Sequence, residues 1–351
     1  MNPEKALVVG ATGMVGSRLV SELADAGWRV IGMCRRPPAN PSPRCEYLYV
    51  DVADAAACCE ALAAHTDLTH LFYAGRHAHT TTAPEPIEIN IAMLRNVLDA
   101  AEASAPGLAH VHAVHGGKVY GSTLGPYRTP AKESDPRVLA DTFYYGQEDL
   151  LRTRQAGQRW TWSTSRPLTV CDGDAAIVRN FPRLLGVYAA ISRELGLDLH
   201  FPGKAGAWTS LYQVTDARHL ARAIIFMAQT QGCANQTFNV TNGDHFRWAN
   251  LWPALAEELR MRPAHPRPIR LGDVMADKGP VWDRIVTRHG LLPTPYAAAA
   301  IWPYGDFVLG HEYDVMSDTT KLRLHGFHEV VDSERMFARM FEALRQARAL
   351  P

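Results

Sequence analysis

The sequence predicts an α/β protein, a doubly wound parallel sheet with a smaller, mainly helical C-terminal lobe. Three observations predict it. Short apolar runs alternate with helical periodicity over the first 166 residues, a glycine-spaced turn joins the first run to the first helix, and the alternation fails after Arg166-Pro167. Residues 5–9 form an apolar run ending at Gly10, and 14–26 carries helical spacing through Val15, Leu19, Val20 and Leu23. A second strand at 29–34 is stopped by Arg35-Arg36-Pro37-Pro38, and a third at 47–50 leads into Asp51 and an Ala-rich helix. Residues 68–74 read as a fourth strand, 87–102 as a helix, 108–115 as a fifth strand, 144–155 as a helix and 160–165 as a sixth strand. Strands separated by helices pair in parallel through right-handed crossovers.

Beyond Pro167 the expected elements are helices at 178–194 and 216–229, a short strand at 236–240 and a terminal helix from 333 to about 349. Between them lies a Trp- and Pro-rich stretch that includes Trp248, Trp252, Trp282 and Trp302, whose rings are expected in a core, some lining an apolar pocket. The expected division is a nucleotide-binding domain over 1–166, completed by about 205–240, and a substrate lobe made of 167–204 and 241–351. Ligands of such folds bind at the carboxyl edge of the sheet.

Bulk composition narrows the function. The 351 residues are 47% hydrophobic and 21% charged, with formal net charge zero, so no basic surface favours nucleic acid or an anionic membrane. No run approaches eighteen apolar residues, so no membrane span is expected. The first strand begins too close to Met1 to leave room for a leader, and the six cysteines lack zinc or C-x-x-C spacing, so a cytoplasmic protein with reduced thiols is expected.

Gly10-Ala11-Thr12-Gly13-Met14-Val15-Gly16 stands between a strand and a helix, the context of a Rossmann-type dinucleotide cradle. Glycine lets the backbone approach a pyrophosphate, and the helix start offers unpaired N–H groups. An NAD enzyme would carry an acid at the end of the second strand; Arg35 and Arg36 stand there, and guanidinium forks suit the 2′-phosphate of NADPH/NADP+. Asp51 and Val52, after the third strand, would flank the adenine.

Enzymes with this turn usually carry Tyr-x-x-x-Lys on one helix. Here Phe143-Tyr144-Tyr145-Gly146-Gln147-Glu148-Asp149 places an acid four residues past either Tyr. Lys118, one of only six lysines, follows the fifth strand in His115-Gly116-Gly117-Lys118-Val119-Tyr120. An ammonium beside a phenol stabilises the phenolate whichever element supplies it, so Tyr145 and Lys118 are the expected catalytic pair, with Tyr144 packed in the core. His110, His112 and His115 share one strand, with His77 and His79 nearby, but no acid or Cys completes a ligand set, and no metal is expected.

Over nearly its whole length the chain resembles the progesterone 5β-reductase/iridoid synthase-like (PRISE) branch of the extended short-chain dehydrogenase/reductase family. The marks are the glycine turn, Arg35-Arg36-Pro37, Asp51-Val52, Gly117-Lys118-Val119-Tyr120-Gly121, Phe143-Tyr144-Tyr145 with Glu148-Asp149, and Arg166-Pro167. The resemblance implies an NADPH-dependent 1,4-reduction of an activated C=C bond in a small, apolar enone or enal, with a homodimer left open. It makes Tyr145 the catalytic phenol and Lys118 its partner, and places Gly75 and Val170 beside the cofactor, Val170 meeting the carboxamide through its backbone. His115, Arg76 and Leu168 depart from the family pattern, which leaves room for a more polar or anionic substrate near Arg76. The alternatives are a carbonyl reductase acting by 1,2-addition and a non-catalytic NADP-binding sensor.

Overall fold

Ala6 and Val8 of β1 (Lys5–Val9) face one side of the central sheet and Leu7 and Val9 the other, and all four are buried. A strand buried on both faces needs a helical layer on each. In the computed structural model, which describes residues 4–77 and 85–351, both layers are present. After β1 come α1 (Met14–Asp25), β2 (Arg29–Cys34), β3 (Cys45–Tyr49), α2 (Ala55–Leu62), β4 (His70–Tyr73), α3 (Ile87–Ser104) and β5 (His110–Val114). They are followed by α4 (Phe143–Gln155), β6 (Thr161–Pro167), β7 (Val170–Cys171), α5 (Phe181–Glu194), β8 (Thr215–Asp216), α6 (Ala217–Gln229) and β9 (Gln236–Val240). The seven-stranded sheet has the order β9-β6-β5-β4-β1-β2-β3, with every pairing parallel. Leu19, Val20 and Leu23 of α1 pack with Leu220 and Ile224 of α6 under Ala6 and Val8, while α2, α3 and α4 cover Leu7 and Val9.

The chain winds outward from β1 to β3 and then returns to β4 on the other side of β1. That reversal opens a crevice at the carboxyl ends of β1 and β4, where such sheets bind ligands. The register keeps these ends level, with Val9 opposite both Met33 and Tyr73, and Tyr73 opposite Ala113. A separate core lies beyond the sheet edge. There α5, α7 (Trp248–Glu258), α8 (Gly279–His289), α9 (Trp302–Val308) and α10 (Ser333–Gln346) enclose Phe181, Trp248, Trp252, Trp282, Phe337 and Phe341.

Some boundaries differ from expectation. β3 starts at Cys45 rather than 47, because this edge strand is only partly buried and its apolar signal is weak. α5 starts at Phe181 rather than 178, with Asn180 as N-cap and Pro182 in its first turn. Val178 and Arg179 therefore stay in a loop. Among the described residues no helix is long and apolar enough to cross a membrane. The β5 histidines are bound within the fold. His110 bonds Thr161 and Ser163 at 2.8 Å each, and His112 bonds Ser163 and Ser165 at 2.8 and 3.0 Å. His79 lies outside the described residues.

Candidate active site

Gly10 closes β1 with φ of +79°, a backbone state that L side chains rarely adopt, and a Cβ there would lie 2.8 Å from the Ala74 carbonyl oxygen of the β4 end. At Gly16 a Cβ would stand 2.1 Å from the Gly10 oxygen, so only glycine lets α1 start this close to β1. The Gly13 amide donates to the Gly10 carbonyl at 2.8 Å, and no side chain caps the helix. The first-turn N–H groups thus face the crevice as a site for a pyrophosphate.

Three cavities meet at Thr12. One, of about 270 Å³, is lined by Gly10, Gly13, Arg35, Asp51, Val52 and Gly75, the shape and chemistry for an adenosine. A second, of about 480 Å³, holds Arg18, Arg36 and Arg44. Among the described residues no acid pairs with Arg35 or Arg36, so two guanidinium groups are available for a phosphate between these cavities. Asp51 accepts from the Ala53 amide at 3.1 Å, and Asn96 donates to the Val52 carbonyl at 3.0 Å, which holds this wall in place.

The third cavity, of about 530 Å³, runs from Gly13, Met14 and Val15 past Gly75 to the ends of β5 and β6 and into the helical lobe. Lys118 lines it from a 3₁₀ turn (Gly117–Tyr120) after β5, and Val170 lines it from β7. Of the two adjacent tyrosines of α4, Tyr144 lines it, beside Tyr212 and Tyr304 of the other lobe, and Tyr145 does not. The Tyr145 hydroxyl donates to the Val119 carbonyl at 2.7 Å and accepts from the Val138 amide at 3.1 Å, so it pins the returning segment to α4. Tyr144, expected in the core, is the one that lines the cavity, and the cause is helix phase. Tyr144 shares its face with Glu148, which is buried against Arg166 of β6 at 3.0 Å and so turns toward the sheet end. Tyr145 shares its face with Asp149, which pairs outside with Arg137, and that guanidinium lies 4.7 Å from the centre of the Tyr145 ring.

Lys118 reaches Glu85, its Nζ donating to Oε1 at 3.2 Å, and Arg76 donates to the same oxygen at 3.1 Å. Burial holds the Tyr144 phenol above its ordinary pKa, while the Arg76 and Arg179 guanidinium groups pull it down and Glu85 pushes it up. Lys118, with Glu85 beside it, is not among the groups that shift this phenol. Tyr144 is a neutral hydrogen-bond donor at neutral pH.

The three departures from the family pattern, Arg76, His115 and Leu168, all line this cavity. His115 is buried with its ring centre 5.0 Å from that of Tyr144, and burial above all brings its pKa down to about 3, so it stays neutral. Gly117 makes room for Leu168, since a Cβ there would sit 2.3 Å from Leu168 Cδ2.

Sequence reasoning missed the clasp over the cradle. Arg18 of α1 holds Asp172 in a fork, Nε to Oδ2 at 2.6 Å, and Asn180 Nδ2 donates to the Asp172 carbonyl at 2.7 Å. No local signal announces a pair 154 residues apart. It missed Arg179 as well, which an Asn-Phe-Pro helix start at Asn180 could have left in the loop.

A family model for a PRISE-like Rossmann-fold domain matches residues 54–351. An (S)-8-oxocitronellyl enol synthase of Nepeta cataria is 35% identical over 365 residues, covering 99% of this chain and 91% of that protein. The (S)-8-oxocitronellyl enol synthase of Catharanthus roseus is 31% identical over 363 residues, covering 99% and 92%. Among solved structures, a short-chain dehydrogenase/reductase superfamily protein of Agrobacterium tumefaciens with bound NAD matches with a TM-score of 0.69 at 18% identity over 98% of each chain. The UDP-glucose 4-epimerase of Thermotoga maritima matches with a TM-score of 0.68 at 15% identity over 97% of this chain and 99% of that one. At such identities the structural likeness carries the fold alone. The chain belongs to the PRISE-like Rossmann-fold family of enzymes.

Proposed function

We propose that this chain is an NADPH-dependent reductase of activated carbon–carbon double bonds, acting by 1,4-addition on an enone or enal with an apolar body. The observation that carries it is that Tyr144 and Lys118 line the same cavity as the glycine turn, at the carboxyl ends of the strands. The glycine cradle fits a dinucleotide because a Cβ at Gly10 or Gly16 would collide with backbone. Arg35 and Arg36 support the 2′-phosphorylated form. The relatives' names specify an enol product, the form in which 1,4-addition leaves a conjugated aldehyde.

NADPH, when bound, supplies hydride to the β-carbon of the substrate. The π electrons then move toward the carbonyl, and its oxygen becomes an enolate. Tyr144 donates its hydrogen bond to that oxygen as charge develops there, which is where electrostatic stabilisation acts most strongly. Lys118 adds positive potential on the same wall, and Phe143, Leu168, Tyr212 and Val315 exclude water around the reacting atoms. The enolate takes one proton at its α-carbon from solvent after the hydride step, which completes the saturated carbonyl product, so no buried acid is required for it.

A double-mutant cycle tests the pairing. Tyr144→Phe and Lys118→Met should each lower kcat by roughly 10²-fold, and the double variant should be little worse than either, because groups acting as a unit are non-additive. Independent, multiplying losses would count against the paired role, and a larger loss in Tyr145→Phe than in Tyr144→Phe would refute the choice of phenol.

A further inference from the structure

The wall of the large cavity contains three cationic side chains, Arg76, Lys118 and Arg179, and no carboxylate among its described residues. Glu85, outside that wall, accepts from Arg76 and Lys118. Arg179 is placed differently. Its guanidinium lies 4.3 Å from the centre of the Tyr304 ring in the helical lobe, and among the described residues it makes no ion pair and donates no side-chain hydrogen bond. Its loop is held from both ends. Arg18 grips Asp172, Asn180 caps α5, and Arg183 donates to the Ala175 carbonyl at 2.8 Å. Arg179 and Tyr144 line the same cavity, and the guanidinium acts to lower the pKa of the phenol. Phe143, Leu168 and Val315 add apolar surface to the same wall, beside the polar Ser122, Thr169 and His311.

A guanidinium over an aromatic ring, on the wall of a cavity with no carboxylate among its described residues, suits a planar oxyanion. From this we infer that Arg179 receives a carboxylate carried by the substrate, so that the natural substrate class is a carboxylate-bearing enal or enone. The inference rests on the reduction proposed above and adds the charged group to it. Stacking on Tyr304 pre-orients the guanidinium, which is itself exposed to solvent. A neutral ester of the same shape leaves Arg179 without an anionic partner and loses the charge-assisted pair.

The test uses NADPH-loaded protein with 6-oxohex-4-enoate and 9-oxonon-7-enoate, each against its methyl ester. One of the two acids should exceed its ester in kcat/KM by about 10–100-fold, mainly through KM. In Arg179→Met that ratio should fall to about one, and in Arg179→Lys to an intermediate value, lysine keeping the charge but losing the fork. Acids and esters reduced equally well by the parent protein would overturn the inference and leave the reduction standing. A raised KM for NADPH in Arg179→Met with an unchanged acid-to-ester ratio would also overturn it, assigning the guanidinium to the cofactor phosphates. If none of the four compounds is reduced, the proposed reaction fails instead. Calorimetry of the NADP+-loaded protein with nonanoate against nonan-1-ol then decides, because Arg179-dependent preference for the carboxylate supports the inference and its absence overturns it.

Discussion

Replacing Tyr144 and Tyr145 by Phe, one at a time, should separate catalysis from stability between adjacent residues. The Tyr145 hydroxyl serves two backbone groups, the buried Val119 carbonyl at 2.7 Å and the part-buried Val138 amide at 3.1 Å. Each bond contributes about 1 kcal/mol net, and stranding its partner without water costs about 1–3 kcal/mol. Tyr145→Phe should therefore destabilise the protein by roughly 2–4 kcal/mol, read as a lower urea midpoint at unchanged slope. Its turnover in the folded protein should stay within severalfold of the parent. Tyr144 donates to no protein group among the described residues and lines the cavity. Tyr144→Phe should keep the unfolding free energy within about 0.5 kcal/mol of the parent and lose roughly 10²-fold in kcat. Measuring NADPH consumption and urea unfolding on both variants completes the comparison. A stable, inactive Tyr145→Phe beside a destabilised, active Tyr144→Phe would refute the helix phase on which the assignment depends.

Arg35→Ala/Arg36→Ala should weaken NADPH binding by roughly 2–4 kcal/mol and leave NADH nearly unchanged, and equal losses for both cofactors would contradict the phosphate role. Gly16→Ala should abolish nucleotide binding or folding, because its Cβ would meet the Gly10 oxygen at 2.1 Å, and an active variant with normal cofactor affinity would contradict the cradle geometry. Acid should destabilise the fold through its buried histidines. Burial brings His70 down to about 4 and His110 and His115 to about 3, whereas an unfolded chain binds those protons near 6.5. The unfolded state binds more protons throughout that window, so their stabilisation is complete above pH 6.5 and declines as pH falls toward 3. Each imidazole removes about 1 kcal/mol per pH unit once well below 6.5. Urea midpoints that stay flat from pH 6.5 to 5 would contradict neutral burial of these rings.

Much of the sheet was legible because parallel strands covered on both faces leave nearly continuous apolar runs, such as Ala6 to Val9 and His70 to Tyr73. The cradle was legible for a similar reason, since its glycines answer to backbone collisions within a few residues of one another. Arg35, Arg36, Asp51 and Lys118 follow strand ends, and strand ends mark the ligand edge. Which of the two Tyr side chains lines the cavity was not legible. A two-residue Tyr run gives no phase, and the phase is set by Glu148 meeting Arg166 across the fold. Arg18 with Asp172, and Arg179 over Tyr304, depend on contacts between elements more than a hundred residues apart. The two-residue strands β7 and β8, which pair only with each other, carry no periodicity to detect.

The central claim is hydride delivery to the β-carbon with Tyr144 on the carbonyl oxygen. NADPH deuterated at the transferred position of the nicotinamide, turned over once with a carboxylate-bearing or plain enal, reports it directly. The product should be a saturated aldehyde with deuterium at its β-carbon, formed at a near-parental rate by folded Tyr145→Phe and roughly 10²-fold more slowly by Tyr144→Phe. Deuterium on the carbinol carbon of an allylic alcohol would contradict the account.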